Sequence, residues 1–319
     1  LSRQPARRHG AGRGAHRGRR RRRPCLTCRR RAREPSLTPR RLQAMVAATE
    51  HTLPDGSLID CMNPGETEII YREIFDEKVY ARHGIVVGDG DTVLDIGANI
   101  GLFALFVSRS GARAKLFCFE PAPATFAALK RNVARHNLAN VRLFQAGIAG
   151  SRGEAVLQFM PNFTVSSTFR PDDSAEQAER NEQFTINAIA TSPNRLVAAG
   201  FRLLPSAAQR AIARAVMRAY AKRVAVTCPL LSVSDVIGEE GLERIDLLKV
   251  DAEGVEDEIL AGIAPEHWPL IRQVTVEVHR GPEQLAAVED LLQSHGFTTV
   301  TEASPASPAE PMVYARRTE

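Results

Sequence analysis

The chain has 319 residues, 44% of them hydrophobic, which suffices for one large α/β domain or two small ones, and no apolar run reaches the roughly 18 residues of a membrane span. Its net charge of +5 is unevenly spread: residues 1–45 hold sixteen arginines and one acid, Glu34, whereas the remainder holds twenty-six bases against thirty-six acids. So acidic a body lacks the basic footprint of a nucleic-acid-binding domain, and such binding is expected only through the leader.

Residues 1–44 are rich in Arg, Gly, Ala and Pro, with an unbroken arginine run from Arg19 to Arg23. A segment this polar cannot bury enough apolar surface to offset its ordering entropy, so it is expected to be disordered. An electrostatic tail, a transit peptide, and upstream sequence ahead of a start at Met45 compete as readings. The composition, arginine without lysine, favours the last. Cys25 and Cys28 form a lone C-x-x-C without a second pair to complete a zinc site, and five cysteines in a chain of this size do not suggest a disulfide framework. No secretory signal is evident, and the cytoplasm is the expected location.

Residues 45–90 lead into the domain proper, expected over 91–317. Asp91 to Gly97 reads as a buried strand entering a glycine turn, and Ile100 to Arg109 follows with helical spacing. Lys115 to Glu120 is a second strand, Pro123 to Asn137 a helix with proline in its first turn, and Val141 to Ile148 a third strand. This alternation has the pitch of a parallel sheet. Ala155 to Met160 reads as one more strand. The pattern then weakens over an insertion at about 161–224, which contains a basic amphipathic helix, about Ser206 to Arg223. Val224 to Thr227 reads as a strand and Ser232 to Gly238 as a short helix. The sheet pattern resumes at Ile245 to Asp251, with a helix from Val255 to Gly262, a strand from Gln273 to His279 and a helix from Pro282 to His295. Phe297 to Thr301 and Met312 to Arg316 are joined too briefly for a crossover, which predicts an antiparallel pair.

Asp95-Ile-Gly-Ala-Asn-Ile-Gly101 sits where the first sheet strand meets its helix, the place where doubly wound sheets bind ligands. Gly97 permits a sharp turn, and Gly101 permits close approach. Asp95 puts a carboxylate at the strand end, a poor place for a phosphate and a good one for a ligand's amino group. A dinucleotide loop needs glycine where Asn99 stands, and a Walker loop needs a terminal Gly-Lys-Ser/Thr; neither is present. Glu120 ends the second strand some twenty residues on, where an acid accepts ribose hydroxyls.

Val93-Leu-Asp-Ile-Gly-Ala-Asn-Ile-Gly-Leu-Phe103, followed by Phe119-Glu-Pro121, resembles the FkbM family of methyltransferases. Asp246-Leu-Leu-Lys-Val-Asp-Ala-Glu-Gly-Val-Glu256 and Val276-Glu-Val-His279 resemble that family's second and third signatures, in the family's order. The segments Glu68 to Gly84, His267 to Arg272 and Val313 to Arg317 are similar to FkbM-type domains associated with polyketide and nonribosomal peptide synthases. The resemblance implies a doubly wound, mostly parallel, seven-stranded Rossmann-like sheet of class I type with an antiparallel last strand. It also implies S-adenosylmethionine as methyl donor and, usually, O-methylation. By position, Asp95, Gly97, Ala98, Asn99 and Gly101 are then expected around the methionine part, Glu120 and Pro121 at the ribose, and Gln145 and Ala146 near the adenine. Ser166 and Ser167 match a serine pair of related proteins.

Methyl transfer to a hydroxyl needs in-line alignment and removal of a proton. Asp251 and Glu253 follow the fourth parallel strand, Lys249 shares a strand face with Asp251, and His279 ends the next strand with Glu277 on its face. Asp251 or His279 is the expected base, with Glu253 and Lys249 orienting the site. The competing readings are a structural Lys249–Asp251 ion pair and a strand-end histidine. A metal on Asp251, Glu253 and His279 is not expected, because no ligand-spacing motif supports it and methyl transfer does not require one. The expected partner is a small hydroxylated acceptor, free or on a carrier protein, with no membrane contact. A basic stripe of Arg210, Arg214, Arg218 and Lys222 on the insertion helix reads as a lid, a carrier dock or simply a solvated face. Outside this class stand a nicotinamide-dependent oxidoreductase, disfavoured by Asn99, and a nonenzymatic nucleic-acid binder acting through the leader.

Overall fold

The parallel strands are apolar on both faces because helices cover both sides of the sheet. In Thr92–Ile96 (β3), Val93 belongs to one core cluster and Leu94 and Ile96 to the other, as the strand's alternation requires. The computed structural model describes residues 48–171, 175–190, 192, 194–220, 223–303 and 310–317, all within one compact unit. The arginine-rich leader with Cys25 and Cys28, as well as Met45 and Lys222, lies outside the described residues.

Before the sheet come a hairpin of Thr49–Thr52 (β1) and Leu58–Cys61 (β2), then helix Pro64–Tyr71 (α1) continued by a π-turn over Arg72–Asp76. Asn63 starts α1 by accepting from the amides of Gly65 and Glu66. After β3 follow Leu102–Arg109 (α2), Lys115–Phe119 (β4), Pro123–Arg135 (α3) and Val141–Phe144 (β5). Next are Gly147–Ile148 (β6), Gly153–Phe159 (β7), three helices at Ala175–Ala190 (α4), Arg195–Arg202 (α5) and Ser206–Tyr220 (α6), and Val224–Leu231 (β8). The chain closes with Val233–Glu240 (α7), Leu247–Val250 (β9), Glu256–Ala261 (α8), Gln273–Glu277 (β10), Gly281–Ser294 (α9), Phe297–Glu302 (β11) and Met312–Arg317 (β12).

The seven-stranded sheet runs β11-β12-β10-β9-β3-β4-β5. β12 alone runs against the direction of the other six strands, and it lies inside the sheet, between β10 and β11. Its Tyr314, buried, donates a hydrogen bond to the Val79 carbonyl at 2.7 Å and so ties the segment after α1 to the sheet.

The expected third strand is two. β5 belongs to the main sheet, whereas β6 pairs with β8 in a separate three-stranded sheet, β6-β8-β7. The break follows from packing at Gly147, where a Cβ would meet Leu230 and Phe169 within 2.9 Å. β8 also runs four residues beyond the expected Thr227, through Pro229. β6 reaches only Leu230 and Leu231, so on that side Pro229 has no strand partner and its missing N–H leaves no gap in the ladder.

The insertion holds three helices where periodicity suggested one. α4 covers the polar stretch after Pro171, α5 was not anticipated, and α6 ends at Tyr220 rather than Arg223. The arginine stripe of α6 is partly spent inside this bundle: Arg214 and Arg210 lie 2.6 and 3.8 Å from Glu182 of α4. Among the described residues no helix is long and apolar enough to cross a membrane.

Candidate active site

The carboxyl ends of β3, β4, β9 and β10 meet at one rim, and the turn after β3 is built for contact. Gly97 has φ +76°, and a Cβ there would stand 1.8 Å from the Asp251 carbonyl oxygen, so backbone packs directly on backbone. Gly101, with φ +92°, faces α3 instead, where a Cβ would meet Leu129 at 2.7 Å. Between them Asn99 takes φ +47°, a conformation asparagine tolerates better than most residues. Glu253 takes φ +55° after β9, a strained setting for a glutamate. The Thr168 hydroxyl donates to the Glu253 carbonyl at 2.6 Å.

A cavity of about 440 Å³ opens at this rim. Gly97, Ala98, Asn99, Glu120 and Pro121 line it, as do Ser166 and Ser167, and Lys249, Asp251, Glu253 and His279. The sequence expectation therefore converges on one chamber, with four exceptions. Asp95, Gly101, Gln145 and Ala146 are not among its lining residues. Asp95 is fully buried beneath the turn, 3.0 Å from Lys249 Nζ. Gln145 and Ala146 fall in the break between β5 and β6, and Gly147 and Ile148 form the wall in their place.

Lys249 is 2% exposed and occupied. Its ammonium donates to the carbonyls of Ile96 and Gly97, both at 3.3 Å, and stands 3.6 Å from Asp251 and 4.8 Å from the centre of the Tyr80 ring. Burial works against its charge, but Asp95 and Asp251 outweigh that and raise its pKa. The competing Lys249–Asp251 ion pair is present but longer than a Lys249–Asp95 pair that braces the glycine turn.

Glu120 accepts from the Asn99 amide at 3.1 Å and the Ala122 amide at 2.9 Å. Burial pushes its pKa up to about 7 although both amides favour the ionised form. Across the cavity stands an acidic group that the sequence reading had only in part. The Tyr80 hydroxyl lies 2.9 Å from Asp251 and 3.2 Å from Glu277. Burial lifts Glu277 to about 7 and Glu73 to about 8, with neighbouring carboxylates adding to the shift. Burial likewise raises Glu253 well above the usual carboxylate range. His279 Nδ1 lies 2.8 Å from Glu256, which is fully buried and also accepts from Gln284 at 2.8 Å and the Gly254 amide at 2.9 Å. Burial opposes a charge on His279, but Glu253 and Glu256 prevail and raise its pKa well above 6.5. The ligand atoms of Asp251, Glu277 and His279 lie within 4.8 Å of one another, close enough to share a cation.

Two further walls escaped the sequence reading. Glu66 of α1 is buried and holds the turn at Thr164–Ser166, accepting from Thr164 N, Thr164 Oγ1 and Val165 N at 3.1, 2.8 and 2.7 Å. Gln183 and Asn187 of α4 complete the chamber from the insertion. Tyr80 and Glu73 fall in a segment whose similarity was noted, but nothing in their spacing signals a cavity shared with Asp251, which lies 171 residues on from Tyr80.

The family model of the methyltransferase FkbM domain matches residues 95–299. The chain is 38% identical over 268 residues to 31-O-demethyl-FK506 methyltransferase FkbM of Streptomyces tacrolimicus, covering 83% of this chain and 96% of that protein. It is 34% identical over 272 residues to AMB antimetabolite synthetase AmbE of Pseudomonas aeruginosa, covering 81% of this chain but 12% of that protein. A crystal structure of methyltransferase FkbM from Methylobacillus flagellatus KT aligns with a TM-score of 0.46 at 11% identity, over 74% of this chain and 46% of that one.

Proposed function

Since the chain belongs to the FkbM methyltransferase family, we propose that it moves a methyl group from S-adenosylmethionine to a hydroxyl oxygen of a small molecule or a carrier-bound natural-product intermediate. The observation that carries the cofactor reading is Glu120. Its carboxylate is held at the cavity wall by two backbone amides, with lone pairs left for the two hydroxyls of a ribose. The cavity volume of about 440 Å³ falls in the range of roughly 300–1,000 Å³ typical of small-molecule sites. Gly97, Ala98, Asn99 and Pro121 would surround the cofactor, with Gly147 and Ile148 taking the part first expected of Gln145 and Ala146. Asp95 acts from below, by holding Lys249 and hence the Gly97 turn.

When bound, S-adenosylmethionine supplies an activated methyl carbon. The chain's own part would be to align the acceptor hydroxyl with that carbon and to receive the hydroxyl proton. Asp251 faces the cavity and would receive it, with Glu253 and, on the adjacent strand, His279 beside it. The O-methyl part of the reading is supported by the name of the Streptomyces relative, and the carrier-bound alternative by the synthetase name of the Pseudomonas one. Calorimetry should find S-adenosylmethionine binding and no nicotinamide cofactor binding. The reverse result overturns the reading.

A further inference from the structure

The acidic wall of the cavity holds more carboxyl groups than basic partners. Glu73, Asp251, Glu253, Glu277 and Glu310 all line it, against Lys249 and His279. Lys249 is already engaged with Asp95 and the two carbonyls of the glycine turn. Tyr80 has a single proton to donate and two carboxylates within reach, Asp251 and Glu277. One of that pair is therefore left without it.

His279 adds an observation independent of the acids. Its side chain is 10% exposed, and Nδ1 is engaged by the buried Glu256. Nε2 is turned toward the cavity, where the nearest carboxylate oxygens, of Glu253 and Asp251, stand 3.8 and 3.9 Å away. Those distances are too long for hydrogen bonds. A buried imidazole with one nitrogen fixed by a carboxylate and the other presented to a carboxylate-lined space is the arrangement of a metal-binding histidine, because the carboxylate orients the ring and raises its basicity.

We propose that Asp251, Glu277 and His279 bind one divalent cation of the magnesium or manganese class, with the acceptor hydroxyl completing its coordination. Two carboxylates and one imidazole suit such an ion, which retains open positions for water or substrate oxygen. Ligands held at about 2.1 Å in an octahedral site lie roughly 3 to 4.2 Å apart, so the three atoms, now within 4.8 Å of one another, need only small side-chain rotations to close on it. Glu277 stands where the metal reading set aside on sequence had Glu253. An acceptor hydroxyl bound to this ion loses its proton more readily, and Asp251 or Glu253 is at hand to receive it. That part in catalysis rests on the methyl-transfer reading above; the binding of the cation does not.

The test is titration of the chelator-treated full chain with Mn²⁺, following free Mn²⁺ by electron paramagnetic resonance, with S-adenosylmethionine affinity measured in parallel by calorimetry. One saturable ion per chain is expected, with nitrogen hyperfine coupling from a single imidazole. Glu277→Gln and His279→Gln should each weaken it at least about tenfold while leaving cofactor affinity in place. Glu120→Ala should do the opposite, losing S-adenosylmethionine and keeping Mn²⁺, so failure of the cofactor reading is seen separately. No saturable binding, an ion without nitrogen coupling, or Mn²⁺ affinity untouched in both Glu277→Gln and His279→Gln overturns the proposal. The coupling is read on the unaltered chain and decides the matter even where a variant does not fold.

Discussion

Glu120 and Lys249 are both buried charged residues at the rim, and they call for opposite tests. Glu120 is poised near neutrality, with its pKa raised by burial to about 7. Between about pH 4.5 and 7 the folded protein holds a proton there that the unfolded chain releases, so this residue's contribution to stability falls as pH rises through that window. Cofactor affinity should move the other way. A ribose hydroxyl is best received by the carboxylate, so S-adenosylmethionine binding should strengthen from pH 6 to 8, and Glu120→Gln should flatten that slope in calorimetry. Glu120→Ala should weaken binding at least about tenfold, since a hydrogen bond to a charged group contributes roughly 1.5–3 kcal/mol. Lys249→Met, by contrast, should show itself in urea unfolding before any assay. It strands Asp95, which is fully buried, and breaking one side of a buried pair costs about 3–5 kcal/mol. The double variant Asp95→Asn, Lys249→Met should recover a good part of that loss, because neither charge is then left alone.

At the scale of elements, the turn after β3 is the least forgiving part of the chain. Gly97→Ala would drive a methyl group into the Asp251 carbonyl, so two loops that both line the cavity would have to part. Gly56, in the β1–β2 connection, has φ +85° and nothing within 4 Å of a Cβ. Gly56→Ala should cost only about 1 kcal/mol, the backbone strain alone, and leave cofactor binding intact, whereas Gly97→Ala should abolish binding. Differential scanning fluorimetry and calorimetry on the pair will separate them. The same turn explains what was readable beforehand. Strand, glycine turn and helix each have strong local signals, and those of β3, β4, β9 and β10 place the glycine loop, Glu120, Asp251 and His279 at one rim. The break at Gly147 was not readable, because Leu230 and Phe169, which force it, are remote in sequence. α4 and α5 were missed for a related reason. α4 is largely polar and α5 spans only eight residues, and their helical state depends on packing against one another and on pairs such as Glu182 with Arg214.

For the molecule as a whole, the chamber is assembled from four stretches of chain: the segment before the sheet, the strand tips, the insertion and, through Glu310, the connection before β12. Only the second carries a motif. Tyr80, Glu73 and Glu66 arrive from the first and Gln183 and Asn187 from the third, by contacts that no local pattern announces. This division predicts a division of labour. On the proposed function the strand tips would hold the cofactor, which leaves the insertion to meet the acceptor. Gln183→Leu should raise the KM for acceptor and leave S-adenosylmethionine affinity unchanged; a change confined to cofactor affinity would refute that assignment. The place of β12 has a consequence for biosynthesis. A strand near the end of the sequence occupies an interior slot, so β10 and β11 have no common partner while the ribosome is still extending the chain past them. During that interval β10 presents a bare, apolar border, the kind of surface that recruits strands from other molecules. Nascent chains halted ahead of Met312 should therefore depend on chaperones and aggregate without them, and release of six more residues, Met312–Arg317, should end that dependence.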